Sequence, residues 1–515
     1  MTPYIPHTKK DIEEMLAAVG LPDVEALFSD IPEEIRRRFR PLGLPPRDEI
    51  WVSRYITALA ERSTGRTLIP FLGAGLYDHY VPPVVNHVIS RSEFYTAYTP
   101  YQAEISQGTL TWMFEYQTMV CELTGMEVAN ASMYDGATAL AEAVYMAVRV
   151  TGGKTVLVPK SLNPQVREVL STYAWAAGLK IVDVPYNEAG QLFLREIPED
   201  TCALIVQEPN FFGVVEDLSG LKERIGKAFL IVYVNPIALG VLEPPGKFGA
   251  DVVVGEGQVL GLPLSFGGPL LGIFATKMEY LRRMPGRLSG RTVDAEGKEG
   301  YVMAFQTREQ HIRREQATSN ICTNSALCAL AATVYLAALG PEGLRRVALL
   351  SMERAHELAE RIFSLPGFRP AFSGPFLYEF VVRSSRAEAA VKKLREVGIA
   401  VAAPSLLEKC GVKEAFLVAV TEKRTPEELD LFVRALSSCA SDPPHPHLLP
   451  PSGGEGTENA PDTGAIFSPF RLREGFSHPR DGDPFPDSSP PLGEPSPSSP
   501  LPHGGEGWGE GERSF

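Results

Sequence analysis

Three tyrosines, a glutamine and a carboxylate fall within the ten residues "YTAYTPYQAE", at Tyr95, Tyr98, Tyr101, Gln102 and Glu104. Phenol, amide and carboxylate groups at that density can hold a polar substrate or move a proton. The same tyrosines could instead pack an interface through their rings, with their hydroxyls hydrogen-bonded. A second concentration, "QTREQHIRREQATSN" at residues 306–320, sets Arg308, His311, Arg313 and Arg314 ahead of the small polar group Thr318, Ser319 and Asn320. Cations in such a run can meet an anion, and a solvated charged face is the plain alternative. The third stretch is "DVVVGEGQVLGLPLSFGGPLLG" at residues 251–272, a β-branched run that empties into a Gly-rich segment with Gln258 near its start.

Metal and thiol chemistry are not expected. The six cysteines (Cys121, Cys202, Cys322, Cys328, Cys410, Cys439) form no CxxC pair, and the histidines outside the C-terminal tail form no HxH or HxxxH pair. Cys322, in "TSNICTN", reads as a small buried thiol rather than a nucleophile. A formal charge of −14 repels a phosphate backbone, and no basic stripe offsets it, so nucleic acid is not an expected partner. No unbroken apolar run reaches the roughly 18 to 20 residues of a membrane span. The polar opening "MTPYIPHTKKDIEEML" lacks the apolar core of a secretory signal, which makes the cytoplasm the expected location.

The elements that must position these groups are legible in outline. At 515 residues, with 44% apolar and 22% charged, the chain has the composition of a soluble globular protein of two or three folded units. Residues 1–60 read as a helical N-terminal region containing "TKKDIEEMLAAVG" and "EEIRRRFR". "KTVLVPK", "KIVDVPY", "CALIVQEPN", "FLIVYVNP" and "ADVVVGEG" are five short β-branched runs without polar alternation. Such runs suit a mostly parallel sheet covered on both faces, giving a large α/β domain over residues 61–320. Residues 321–440 hold a long helical stretch followed by "YEFVVR", "AEAAVKKLREVG", "AFLVAVTE" and "TPEELDLFVRAL", a smaller α+β domain. Residues 441–515 carry 16 of the 44 prolines and too few apolar residues for a core, so a disordered tail is expected there.

Four segments carry a family resemblance: "YIPHTKKDIEEML", "GAGLYDHYVPPVV", residues 95–143 from "YTAYTPYQAE" to "MYDGATALAEA", and residues 305–344 beginning "FQTREQHIRREQATSN". They resemble the glycine dehydrogenase (decarboxylating) family, the P-protein of the glycine cleavage system, and look most like its subunit 1, the α chain. The resemblance implies the fold of the type I pyridoxal-phosphate (PLP) transferases. Such an enzyme needs a lysine amine to hold the cofactor and an acid beside the pyridine nitrogen. At the matching places stand Gln258 and Asn235, so no cofactor-binding residue is expected in this chain. Lys247 and Lys277 read as loop or strand-end charges. "MYDGATALAEA" resembles the helix start that would hold a cofactor phosphate, here read as a vestigial cap. Ala103 stands where proline is expected.

The resemblance further implies a homologous β subunit that holds the PLP, in an α2β2 assembly. The complex would decarboxylate glycine and pass its aminomethyl group to the lipoyl arm of H-protein, while the isolated chain would be inactive. Tyr95, Tyr98, Tyr101, Gln102 and Glu104 would then be contributed to the partner's site. Arg308, His311, Arg313, Thr318, Ser319 and Asn320 would lie at the interface or along the lipoyl path. Two other readings remain: a self-contained PLP enzyme using an unexpected lysine, and a structural or regulatory pseudoenzyme.

Overall fold

The computed structural model describes residues 7–321 and 324–440. Cys322 and the segment read as a disordered tail lie outside the described residues. The chain opens with an arm. Helix α1 (Lys9–Val19) starts at a capping box, in which Thr8 and Asp11 bond each other's backbone, and stops at left-handed Gly20. "EEIRRRFR" yields only one helical turn, Glu33–Arg36, and a helix not read from sequence follows, α2 (Glu49–Glu61). No described residue before position 67 is buried.

The large unit is built on seven strands: β1 (Val128–Ala129), β2 (Thr155–Pro159), β3 (Lys180–Val184), β4 (Thr201–Glu208), β5 (Phe229–Val234), β6 (Val252–Glu256) and β7 (Gly272–Thr276), in the order β1-β7-β6-β5-β4-β2-β3. The five predicted runs are β2 to β6, and they pair in parallel. β7 and β1 are antiparallel additions at one edge. Every residue of β4, β5 and β6 is buried, as a sheet covered on both faces requires. Alternate residues divide between two cores. Phe229 and Ile231 of β5 pack with Leu140 and Val144 of helix α4 (Gly136–Thr151), whereas Leu230 and Val232 join the core that includes Trp112 and Tyr116 of α3 (Gln107–Thr124). Helix α5 (Pro164–Ala176) packs beside α4. A hairpin that the sequence reading missed, β8 (Leu288–Val293) with β9 (Glu299–Ala304), leans on α3.

Helix α6 (Ala326–Phe363) links the units. It is the one described helix long and apolar enough to cross a membrane. It breaks at Gly340, ahead of Pro341, and buries Leu330, Tyr335, Leu344 and Leu358 in the larger core, so it is a core helix. The small unit has strands β10 (Arg369–Pro370), β11 (Glu379–Arg383) and β12 (Ala415–Ala419), antiparallel, backed by α7 (Ala387–Glu396) and α8 (Pro426–Ala440). Residues 69–70 pair in parallel with 399–400, tying the start of the large unit to the small one.

Candidate functional site

In open parallel sheets, ligands bind outside the carboxyl ends of the strands. Asn235 follows β5 and Gln258 follows β6, and these strands are neighbours in parallel register, Val234 opposite Gly255. The two positions therefore share the binding edge of the sheet.

That edge is closed by the chain itself. Gln258 is 1% exposed. Its Oε1 accepts from Tyr77 N–H (3.0 Å), and its Nε2 donates to Tyr77 O (3.1 Å) and Leu262 O (2.7 Å). The amide thus clamps the segment around Tyr77 across the loop that follows β6. The Glu256 carboxylate accepts from the backbone N–H of Gly136, Gln258 and Leu271, each at 3.0 Å. Gly136 is the first residue of α4, so an internal carboxyl group occupies the helix start expected for a phosphate. The fit there admits only glycine, since a Cβ would lie 2.5 Å from Tyr233 Oη. Asp135 adds an ordinary cap, accepting from Thr138 N–H at 2.8 Å. On the opposite wall, Glu379 of β11 accepts from Ala74 N–H and Tyr77 Oη, both at 2.7 Å. Burial pushes Glu256 and Glu379 up to about 7, held back by the donors each carboxylate gathers. Asn235 turns its Oδ1 back to Ile237 N–H (3.1 Å).

What remains between these groups is a cavity of about 20 Å³, bounded by Tyr77, Tyr233, Asn235, Glu256 and Glu379 and lined, among the described residues, by no lysine, arginine or histidine. This is room for about one or two waters. Pyridoxal phosphate does not fit: its anchor is a clamped amide and its phosphate seat holds a carboxylate. The two nearby lysines offer no substitute. Lys277 pairs with Asp251 (2.5 Å), just before β6 and so at the opposite edge of the sheet, and Lys247 pairs with Glu243 on a turn.

The other candidates assemble elsewhere. Arg287, at the base of β8, joins the tyrosine loop to the basic cluster. It donates to Thr99 Oγ1 (2.7 Å) and Tyr101 Oη (3.1 Å) and pairs with Glu309 (3.3 Å). The His311 ring stands edge-on to Tyr101, 5.9 Å between centroids. Tyr95, Tyr98, Gln102 and Glu104 are exposed beside it, Tyr98 at 74%. Arg308 corrects the solvated-face reading: it is buried and bonds Met284 O and Gly286 O (2.9 Å to the latter). Arg313 and Arg314 are exposed. Thr318, whose N–H donates to Arg308 O (3.1 Å), lines with Ser319 and Asn320 a separate cavity of about 440 Å³. Glu256, Glu379 and Arg287 were missed from sequence. Glu256 lies in the quoted strand but read only as its end, and Glu379 and Tyr77 stand 302 residues apart.

Comparison with known proteins places this geometry. The family model described as glycine cleavage system P-protein matches residues 2–436. A protein of Carboxydothermus hydrogenoformans named probable glycine dehydrogenase (decarboxylating) subunit 1 is 51% identical over 442 residues, covering 84% of this chain and 99% of the relative. Its namesake from Thermotoga maritima is 54% identical over 381 residues, 74% of this chain and 86% of the relative. Among solved structures, an inhibitor-bound glycine decarboxylase (P-protein) of the glycine cleavage system superposes with a TM-score of 0.79 at 44% identity, covering 85% of this chain and all of that one. A sphingosine-1-phosphate lyase of Burkholderia pseudomallei, at 14% identity and a TM-score of 0.58 over 79% of this chain and 94% of the lyase, shares the fold.

Proposed function

The chain belongs to the glycine cleavage system P-protein family, and from that premise we propose that it is the lysine-free subunit 1 of a two-chain glycine dehydrogenase (decarboxylating). The observation that carries this is the closed cofactor edge, with Gln258 clamped and Glu256 seated at the start of α4. PLP serves the enzyme, and in this reading a homologous second chain holds it, in an α2β2 assembly in the cytoplasm. When bound there it supplies the electron sink for loss of carbon dioxide from glycine. The complex would then transfer the remaining aminomethyl group to the lipoyl arm of H-protein.

This chain's own part is to complete the partner's site. Arg287 fixes Tyr101 and Thr99, so that Tyr95, Tyr98, Gln102 and Glu104 project outward from a tethered loop. His311, Arg313, Thr318, Ser319 and Asn320 belong to the same interface or to the lipoyl path, while Arg308 braces the 284–286 turn behind them. The arm supports a heteromer: Phe39 and Leu42 are 75% and 88% exposed, apolar surface that a partner would cover.

The test is exchange of labelled bicarbonate into the carboxyl group of glycine, with PLP and H-protein, for this chain, the second chain and their mixture. The expected result is exchange by the mixture alone. Exchange by this chain alone would establish the self-contained reading, and equal exchange by the second chain with or without it would establish the pseudoenzyme.

A further inference from the structure

The cavity of about 440 Å³ lies outside the closed cofactor edge, between α4, α5 and the segment 315–321. Its size is that of a small-molecule pocket. Thr138, Glu142 and Tyr145 sit at positions i, i+4 and i+7 of α4 and so present one helix face to it. The walls include three tyrosine rings, Tyr134, Tyr145 and Tyr173, the last two 5.5 Å apart. Tyr145 spends its hydroxyl on Tyr173 O (2.8 Å), which holds the pair as a fixed aromatic wall. Among the described residues, the charged groups that line the cavity are both carboxylates, Glu142 and Glu315.

Glu142 is the unusual member. It is 6% exposed, and its Oε2 has no hydrogen-bond partner among the described residues. Burial raises its pKa, while a hydrogen bond from Ser319 and the charge of Arg149 act to lower it, so Oε2 is the oxygen left without a donor. Arg149 is two turns along α4 and does not line the cavity. A buried acceptor without a donor costs stability unless a ligand supplies one. Aromatic faces attract cations, and a carboxylate beside them adds a charge-assisted hydrogen bond.

We propose that this cavity binds a small organic ammonium ion, the N–H groups donating to Glu142 and the alkyl part lying against Tyr145 and Tyr173. Such a site would sit behind the Thr318–Asn320 segment, distinct from any cofactor chemistry of the complex. Calorimetric titration of the full chain with methylammonium and trimethylammonium, against the uncharged tert-butanol, is the direct test. The expected result is saturable binding of an ammonium ion and none of the alcohol. Glu142→Gln, which keeps the shape, should weaken binding by about tenfold to a hundredfold. Glu315→Gln, at an exposed position, should change it little. Binding of the alcohol as tightly as the amines, unchanged affinity in Glu142→Gln, or no heat from either amine at millimolar concentration would overturn the proposal. The ligand comparison needs no variant, so a folding defect in Glu142→Gln does not shield it.

Discussion

At Gln258 one side-chain amide bonds the backbone of Tyr77 twice and that of Leu262 once, all within a buried edge. Gln258→Ala strands those groups and should cost about 1–3 kcal/mol in urea denaturation. A variant as stable as the parent would show the clamp to be incidental. The buried acids make a second residue-scale prediction. Glu216, Glu256 and Glu379 are each pushed up to about 7, chiefly by burial. The folded chain therefore keeps protons that the unfolded chain has released. Their stabilisation is full below the ordinary glutamate range and is lost as pH rises through about 7. The melting temperature should fall between about pH 5 and pH 8, and Glu379→Gln should flatten the fall. A rising profile through that window would contradict these assignments.

The tyrosine loop is tied down at one point and exposed at others. Tyr101 is held by Arg287, whereas Tyr98 projects outward. Tyr98→Phe keeps the ring and removes a hydroxyl. Gel filtration of the mixed complex should be unchanged, while its glycine turnover falls by about tenfold if the hydroxyl meets the transition state. Unchanged turnover assigns the ring to packing, and loss of assembly assigns it to the interface. At this scale the sequence was informative where a pattern was forced. Strands β4 to β6 are buried on both faces and could be read as unbroken apolar runs, and these runs together with the family resemblance placed Asn235 and Gln258 near strand ends. The hairpin β8–β9 escaped because its strands are only partly buried and carry polar residues such as Arg291 and Glu299. Helix α2 escaped because its apolar residues face no core of this chain. The Arg287 hub and the Glu379–Tyr77 bond depend on pairings that no local spacing records.

Across the whole molecule, two surfaces ask for another chain, the tyrosine loop and the N-terminal arm. The arm is folded on its own terms, with the Thr8 cap, the Arg36–Glu25 pair and Trp51 stacked on Tyr55 at 5.0 Å, yet it buries nothing. Removing residues 1–66 should leave the melting temperature nearly unchanged while abolishing co-elution with the PLP-bearing chain. A large loss of stability would instead make the arm part of this chain's own fold. The central claim, that cofactor chemistry belongs to the partner, has one direct measurement: borohydride reduction of the PLP-loaded complex followed by peptide mapping of both chains. The account predicts pyridoxyl-lysine in the partner and none in this chain, with the Lys247 and Lys277 peptides unlabelled. A pyridoxyl peptide recovered from this chain in stoichiometric amount would contradict it.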